Sequence, residues 1–131
     1  MKGKVKEGQA TLEVVLQLAG KPNLALEFVV DTGFQGELAL SQKAVALLEL
    51  PLLRTKRLVL ENGDEVEAGV HSATILWDNY AREVEVEARG VRPLLGTGLL
   101  AGHHFGVVFL EGGEVVVLKR PVSQRETDGI L

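Results

Sequence analysis

Asp31 is the residue of this chain best placed to do chemistry. Four aspartates occur, Asp31, Asp64, Asp78 and Asp128. Asp64 and Asp78 stand beside turn residues and Asp128 lies near the C-terminus, whereas Asp31 directly follows the apolar run Phe28-Val29-Val30. A carboxylate at the end of a buried strand needs hydrogen-bonding partners or a shifted protonation equilibrium. Thr32 offers a hydroxyl, and Gly33 lets the backbone approach the carboxylate without a Cβ in the way. A carboxyl held in this manner can act as a general base or a general acid. Leu94-Leu95-Gly96 gives a second apolar pair ending in glycine, suited to packing beside that loop.

Other chemistries find less support. Without cysteine there is no disulfide, thiolate metal site or cysteine nucleophile. His103 and His104 are adjacent, so on a strand their side chains face opposite ways. His71 is the only other histidine, which makes poor metal-ligand spacing. No metal and no other cofactor is expected. None of Ser41, Ser72 and Ser123 lies in a Gly-x-Ser-x-Gly elbow. Glu83, Glu85 and Glu87 alternate with apolar residues, which reads as a solvated strand face rather than a pair of converging glycosidase carboxylates.

The positioning elements follow from length and periodicity. With 131 residues, 46% of them hydrophobic, the chain suits one packed domain over 1–131, with a core of about 10–119 and a polar tail of 120–131. The tail is expected to fray unless an interface holds it. Leu12 to Leu18 and Leu24 to Val30 alternate with period two around a Gly-Lys-Pro-Asn turn, predicting a hairpin that delivers the chain to Asp31. Leu38 to Leu40 predicts a short strand, and Ser41 an N-cap for a helix over Gln42 to Leu48 that Pro51 stops. Arg57 to Leu60 and Glu65 to Val70 flank Asn62-Gly63, the strongest short hairpin-turn signal. Asp78-Asn79 marks another turn, Thr97 to Gly102 a helical turn or two, and Glu111-Gly112-Gly113 a last hairpin. The sum is an all-β domain with one or two short helices, most simply a small closed β-barrel.

The net charge of −4 argues against a dedicated nucleic-acid binder and gives no reason to sit on an anionic membrane. No run approaches the ~20 apolar residues of a spanning helix, and the N-terminal lysines are not followed by a signal-like apolar core, so a cytoplasmic location is expected.

Val29-Val30-Asp31-Thr32-Gly33 resembles the catalytic loop of the aspartic peptidases, and Leu94-Leu95-Gly96 resembles their apolar-apolar-Gly element. The order of hairpin, Asp loop, second hairpin, apolar-Gly element, short helix and final hairpin is similar to the bacterial, retropepsin-like, single-domain branch, over roughly residues 10 to 119. The resemblance implies an acid-protease barrel, with Asp31, Thr32 and Gly33 as the catalytic loop and Leu94, Leu95 and Gly96 as its support. It implies a flap at Leu58 to Val66, with Leu60, Glu61, Asn62, Gly63 and Asp64 at the substrate.

Two carboxylates held close together share one proton, so that one activates a water while the other protonates the scissile carbonyl oxygen. One such loop in a chain too short for a second lobe implies a homodimer, each subunit giving one Asp31 to the hydrolysis of a peptide or protein substrate. The alternative is an inactive dimeric binding or assembly module with the same fold. The chain departs from the family it resembles in two places, the flap tip from its viral members and Phe34 from the small residue many members carry after the Gly. Its flap tip is short and acidic, predicting a bias toward cationic substrates, and the bulky Phe34 follows the loop, where base rates favour core packing.

Overall fold

Alternating apolar and polar residues near the N-terminus fold as antiparallel strands. The computed structural model describes residues 1–121. In it β1 (Lys2–Lys6), β2 (Gln9–Gln17) and β3 (Leu24–Val30) follow one another. β1 is an addition to the elements the sequence predicts, because its one buried residue is Val5 and the rest is lysine and glycine. It exists by pairing on both sides, with β2 and with a strand from the end of the chain.

After Asp31 come β4 (Leu38–Leu40) and α1 (Gln42–Leu47). The Ser41 hydroxyl accepts from the Ala44 amide at 3.1 Å, the predicted N-cap. A long hairpin follows, β5 (Leu52–Val59) and β6 (Glu65–Trp77), then β7 (Tyr80–Ala88). β8 (Leu94–Leu95), α2 (Thr97–Leu100), β9 (His103–Val107) and β10 (Glu114–Lys119) complete the described chain. The tail expected to fray or to form an interface falls on residues 122–131, outside the described residues.

The strands hydrogen-bond in the order β5-β6-β7-β4-β8-β3-β2-β1-β10-β9, and a further β6–β2 pairing closes β2, β6, β7, β4, β8 and β3 into a ring. Two pairings are parallel, β3 with β8 and β4 with β7. Each strand of the ring sends one side chain into its centre at 0% exposure: Leu16, Ile75, Val86, Leu38, Leu95 and Phe28. Burying each such side chain favours folding by roughly 1.5–3 kcal/mol.

The hairpin expected around Asn62-Gly63 forms, β5 pairing with β6 as far as Val59↔Glu65 and residues 60–64 making the loop. The Asn62 side chain turns inward locally, its oxygen accepting from the Asp64 amide at 3.0 Å. The two-residue reversal is Asp78-Asn79, closed by Trp77↔Tyr80, with φ of 52° and 69°. Positive φ at both centres matches the right-handed twist of the flanking strands. One local expectation is corrected, at Glu87. Glu83 is exposed and Glu85 half-buried, but Glu87 is only 6% exposed, because Lys56 of β5 and the Gly36 backbone cover that end of the strand.

Among the described residues no helix is long and apolar enough to cross a membrane.

Candidate active site

Asp31 leaves the ring at the end of β3, and backbone hydrogen bonds to the β8–α2 segment fix its position. Pairing of Val29 with Leu94 and Val30 with Leu95 sets β8 alongside β3. The Asp31 amide then donates to the Leu95 carbonyl at 2.9 Å. The loop closes on itself when the Phe34 amide donates to the Asp31 carbonyl at 3.1 Å. The side chain is held too, for Asp31 Oδ1 accepts from the Gly33 amide at 2.8 Å. The carboxylate is half-buried while Thr32 and Gly33 are exposed at the rim.

The predicted support from Leu94, Leu95 and Gly96 is brought against the loop and extends further than the sequence suggests. Gly96 donates to the Glu37 carbonyl at 2.9 Å, Thr97 to Phe34 at 2.8 Å and Gly98 to Gly36 at 3.0 Å. These bonds pull the two segments so close that a Cβ at Gly96 would collide with the Gly36 and Phe34 carbonyl oxygens. That approach is why glycine ends the Leu-Leu-Gly element. Phe34 lies 7% exposed, packed against Gly36 and Gly96, with the Arg89 guanidinium 5.7 Å above its ring. Its bulk serves packing, as the base rate predicts, and one edge of it also lines the site.

Asp31 and Leu94 are common to two open clefts. One, of ≈ 320 Å³, is bordered by the 33–36 loop and by Lys56, Glu87 and Arg89. The other, of ≈ 370 Å³, is bordered by Gln9, Thr32, Arg92, Phe105 and Phe109. Glu87 anchors the first wall, 3.2 Å from Lys56 Nζ and 3.4 Å from an Arg89 nitrogen. Burying its charge is tolerable because two cations meet it. Further along the hairpin, Arg54 grips Glu85 through two hydrogen bonds of 2.7 and 2.8 Å. That hydrogen bonding holds the Glu85 carboxyl below its ordinary value of 4.5, against the opposing effect of burial.

The structure does not bring together every residue singled out from sequence. Leu60, Glu61, Asn62, Gly63 and Asp64 form an exposed turn, with Leu60 donating to Asp64 at 2.8 Å and Gly63 to Leu60 at 2.9 Å. None of the five borders either Asp31 cleft. The hairpin reaches the site through Lys56, at mid-strand, instead of through its tip. Lys56, Glu87, Arg89 and Arg92 went unrecognised in the sequence; the available signal was that Arg and Lys at 54 and 56 match Glu at 85 and 87 in spacing and sign. Away from the site, His71 Nδ1 lies 2.9 Å from the Leu50 carbonyl. His103 accepts from the Trp77 indole at 3.2 Å, with its Nδ1 2.9 Å from the Ala101 carbonyl.

No protein-family model and no curated protein matches this chain. Among solved structures, it is similar to a retropepsin-like aspartic protease from Rickettsia conorii. The TM-score is 0.61 at 17% identity, over 91% of this chain and 89% of that one. The likeness is one of fold.

Proposed function

We propose that this protein is an aspartic endopeptidase that acts as a homodimer, with Asp31 of each subunit facing its own copy across a two-fold axis. The observation that carries this reading is the Asp31 loop: a half-buried carboxylate, oriented by the Gly33 amide, pinned by Leu95 and opening onto two clefts. The retropepsin-like fold supports it. So does the exposure of Thr32 and Gly33, which leaves the rim available for a second copy.

In that dimer the two carboxylates share one proton and titrate as a pair. The ionised one takes a proton from a water as the water oxygen attacks the scissile carbonyl carbon. The protonated one gives its proton to the carbonyl oxygen, forming a neutral gem-diol. Collapse breaks the C–N bond, with a proton passing to the leaving amine. Thr32 steadies the two loops against each other, and the β5–β6 hairpin closes over the peptide with Leu60 to Asp64 at its tip. A cytoplasmic site of action goes with this reading.

The test is cleavage of an unbiased peptide library between about pH 4 and pH 7, wild type against Asp31→Asn. Cuts made by the wild type and lost in an equally folded mutant establish the activity. Specific activity is expected to fall on dilution through the dimer's dissociation range. Activity that stays strictly proportional to protein, with monomer alone in solution, overturns the dimer. Peptide binding with no cleavage under dimeric conditions favours the binding module.

A further inference from the structure

The cleft between the Asp31 loop and β5 has a composition unlike an apolar side-chain pocket. Its lining carries two cations, Lys56 and Arg89, and two carboxylates, Glu87 and the Asp31 already placed at the site. Glu87 faces inward, its side chain 8% exposed, and is in contact with both cations. Lys56 and Arg89 are each 42% exposed at the side chain, so their head groups reach solvent. Each commits a hydrogen bond to Glu87 and has further N–H donors to offer. The two cations match Glu87 and Asp31 in number, so attraction of an acidic group rests on the spare Lys56 and Arg89 donors rather than on net charge.

The arrangement is also held in place. Phe34 supports the Arg89 guanidinium from below at 5.7 Å, and the Arg89 amide donates to Leu40 at 2.8 Å, fixing the backbone beneath it. Lys56 sits mid-strand on β5, paired with Ala68 of β6. A planar guanidinium beside an ammonium, both braced and both partly desolvated, matches a carboxylate.

We propose that Lys56 and Arg89 are specificity-determining residues, selecting substrates with an acidic side chain close to the scissile bond. The assignment rests on the peptidase reading for its substrate class. It runs opposite to the cationic preference that the acidic tip residues Glu61 and Asp64 suggest, because the tip lies outside the clefts while Lys56 and Arg89 line one.

Peptides identical except for Glu or Gln at each position flanking the cut provide the test. They are titrated against the Asp31→Asn protein and then given to the wild type as substrates. Glu is expected to be preferred over Gln at one or two positions by roughly three- to tenfold, in Kd for the mutant and in kcat/KM for the wild type. The preference shrinks as salt rises. Lys56→Met and Arg89→Gln are each expected to bring the Glu/Gln ratio toward one. The ratio is taken within a single variant, so a general loss of folding or activity cancels from it.

Equal handling of the two peptides by the wild type overturns the assignment, as does a ratio unchanged in both variants or the failure of the Asp31→Asn protein to bind either peptide. Cleavage without a Glu preference removes the cleft assignment and leaves the peptidase. Selective binding that both substitutions abolish, without any cleavage, leaves the cleft assignment and removes the peptidase.

Discussion

The Asp31 loop and the β5–β6 hairpin border the same cleft and are held by different forces. Around Asp31 the restraint is backbone to backbone: Leu95, Phe34, Glu37 and Gly36 carbonyls each accept an amide across the junction of β3, β4, β8 and α2. These bonds lie beside Leu38, Leu95 and Leu99, side chains at 0% exposure, so the junction is tied to the core. The hairpin is held at its free side by side chains alone, Arg54 to Glu85 and Lys56 to Glu87, with seven of the eight β5 residues exposed. Arg54 and Glu85 pair at the surface, where ion pairs break and reform readily. A catalytic carboxylate has to stay where it is, and a hairpin that admits a peptide has to move, so the two kinds of restraint fit the two tasks.

Breaking the fixed side gives the largest effects. Asp31→Asn keeps an oxygen for the Gly33 amide and removes the ionisable group. A loss of about 10²–10⁴-fold or more in kcat is expected, with a denaturant midpoint close to wild type. Gly96→Ala puts a methyl into the Gly36 and Phe34 carbonyls. Chemical denaturation is expected to show a loss of about 3 kcal/mol, because backbone, not a flexible side chain, would have to shift.

The hairpin side responds more gently. Arg54→Met is expected to speed amide exchange in β5 while leaving the Asp31, Gly96 and Thr97 amides as protected as in wild type. Faster exchange at both places would mean that the two regions open as one. The pH dependence has a definite sign. Arg54 lowers the Glu85 carboxyl, so the stabilisation is fully present above the ordinary value of 4.5 and is lost as pH falls through the lower folded-state value. Exchange in β5 is therefore expected to rise only below the ordinary carboxylate range, and in Arg54→Met the rise disappears. The smallest effect is assigned to the tip. Glu61→Gln with Asp64→Asn removes two charges from an exposed turn, and the Glu/Gln substrate ratio is expected to move less than in Lys56→Met.

The fixed region was also the legible one. Asp31 stood out because a carboxylate directly follows Phe28-Val29-Val30, and the strand bounds read from alternation there match β3 residue for residue. Ser41 read correctly because an N-cap is a local device, complete within four residues. What the sequence hid depends on distant partners. Lys2 to Lys6 becomes a strand only because β2 and β10 flank it. Glu87 occupies an outward position of an alternating strand, and nothing local says that β5 will cover it. Lys56 is an ordinary exposed cation until the β5–β6 and β6–β7 registers bring it to Glu87, which Arg89 meets from two residues along the chain. Asn62-Gly63 marked its reversal correctly, because the Asn62 side chain bonds the Asp64 amide within the same loop over residues 60–64.

The ring leaves the described sheet with two open ends, and β5 is one of them. A long exposed strand with a vacant row of amides and carbonyls invites pairing with another chain, and Leu52, Leu53 and Val59 add an apolar incentive. Arg54, Lys56 and Arg57 interrupt that edge with positive charge in between. The lysine proposed to read the substrate thus also charges the sheet edge, so neutralising it for a new specificity leaves a stickier strand.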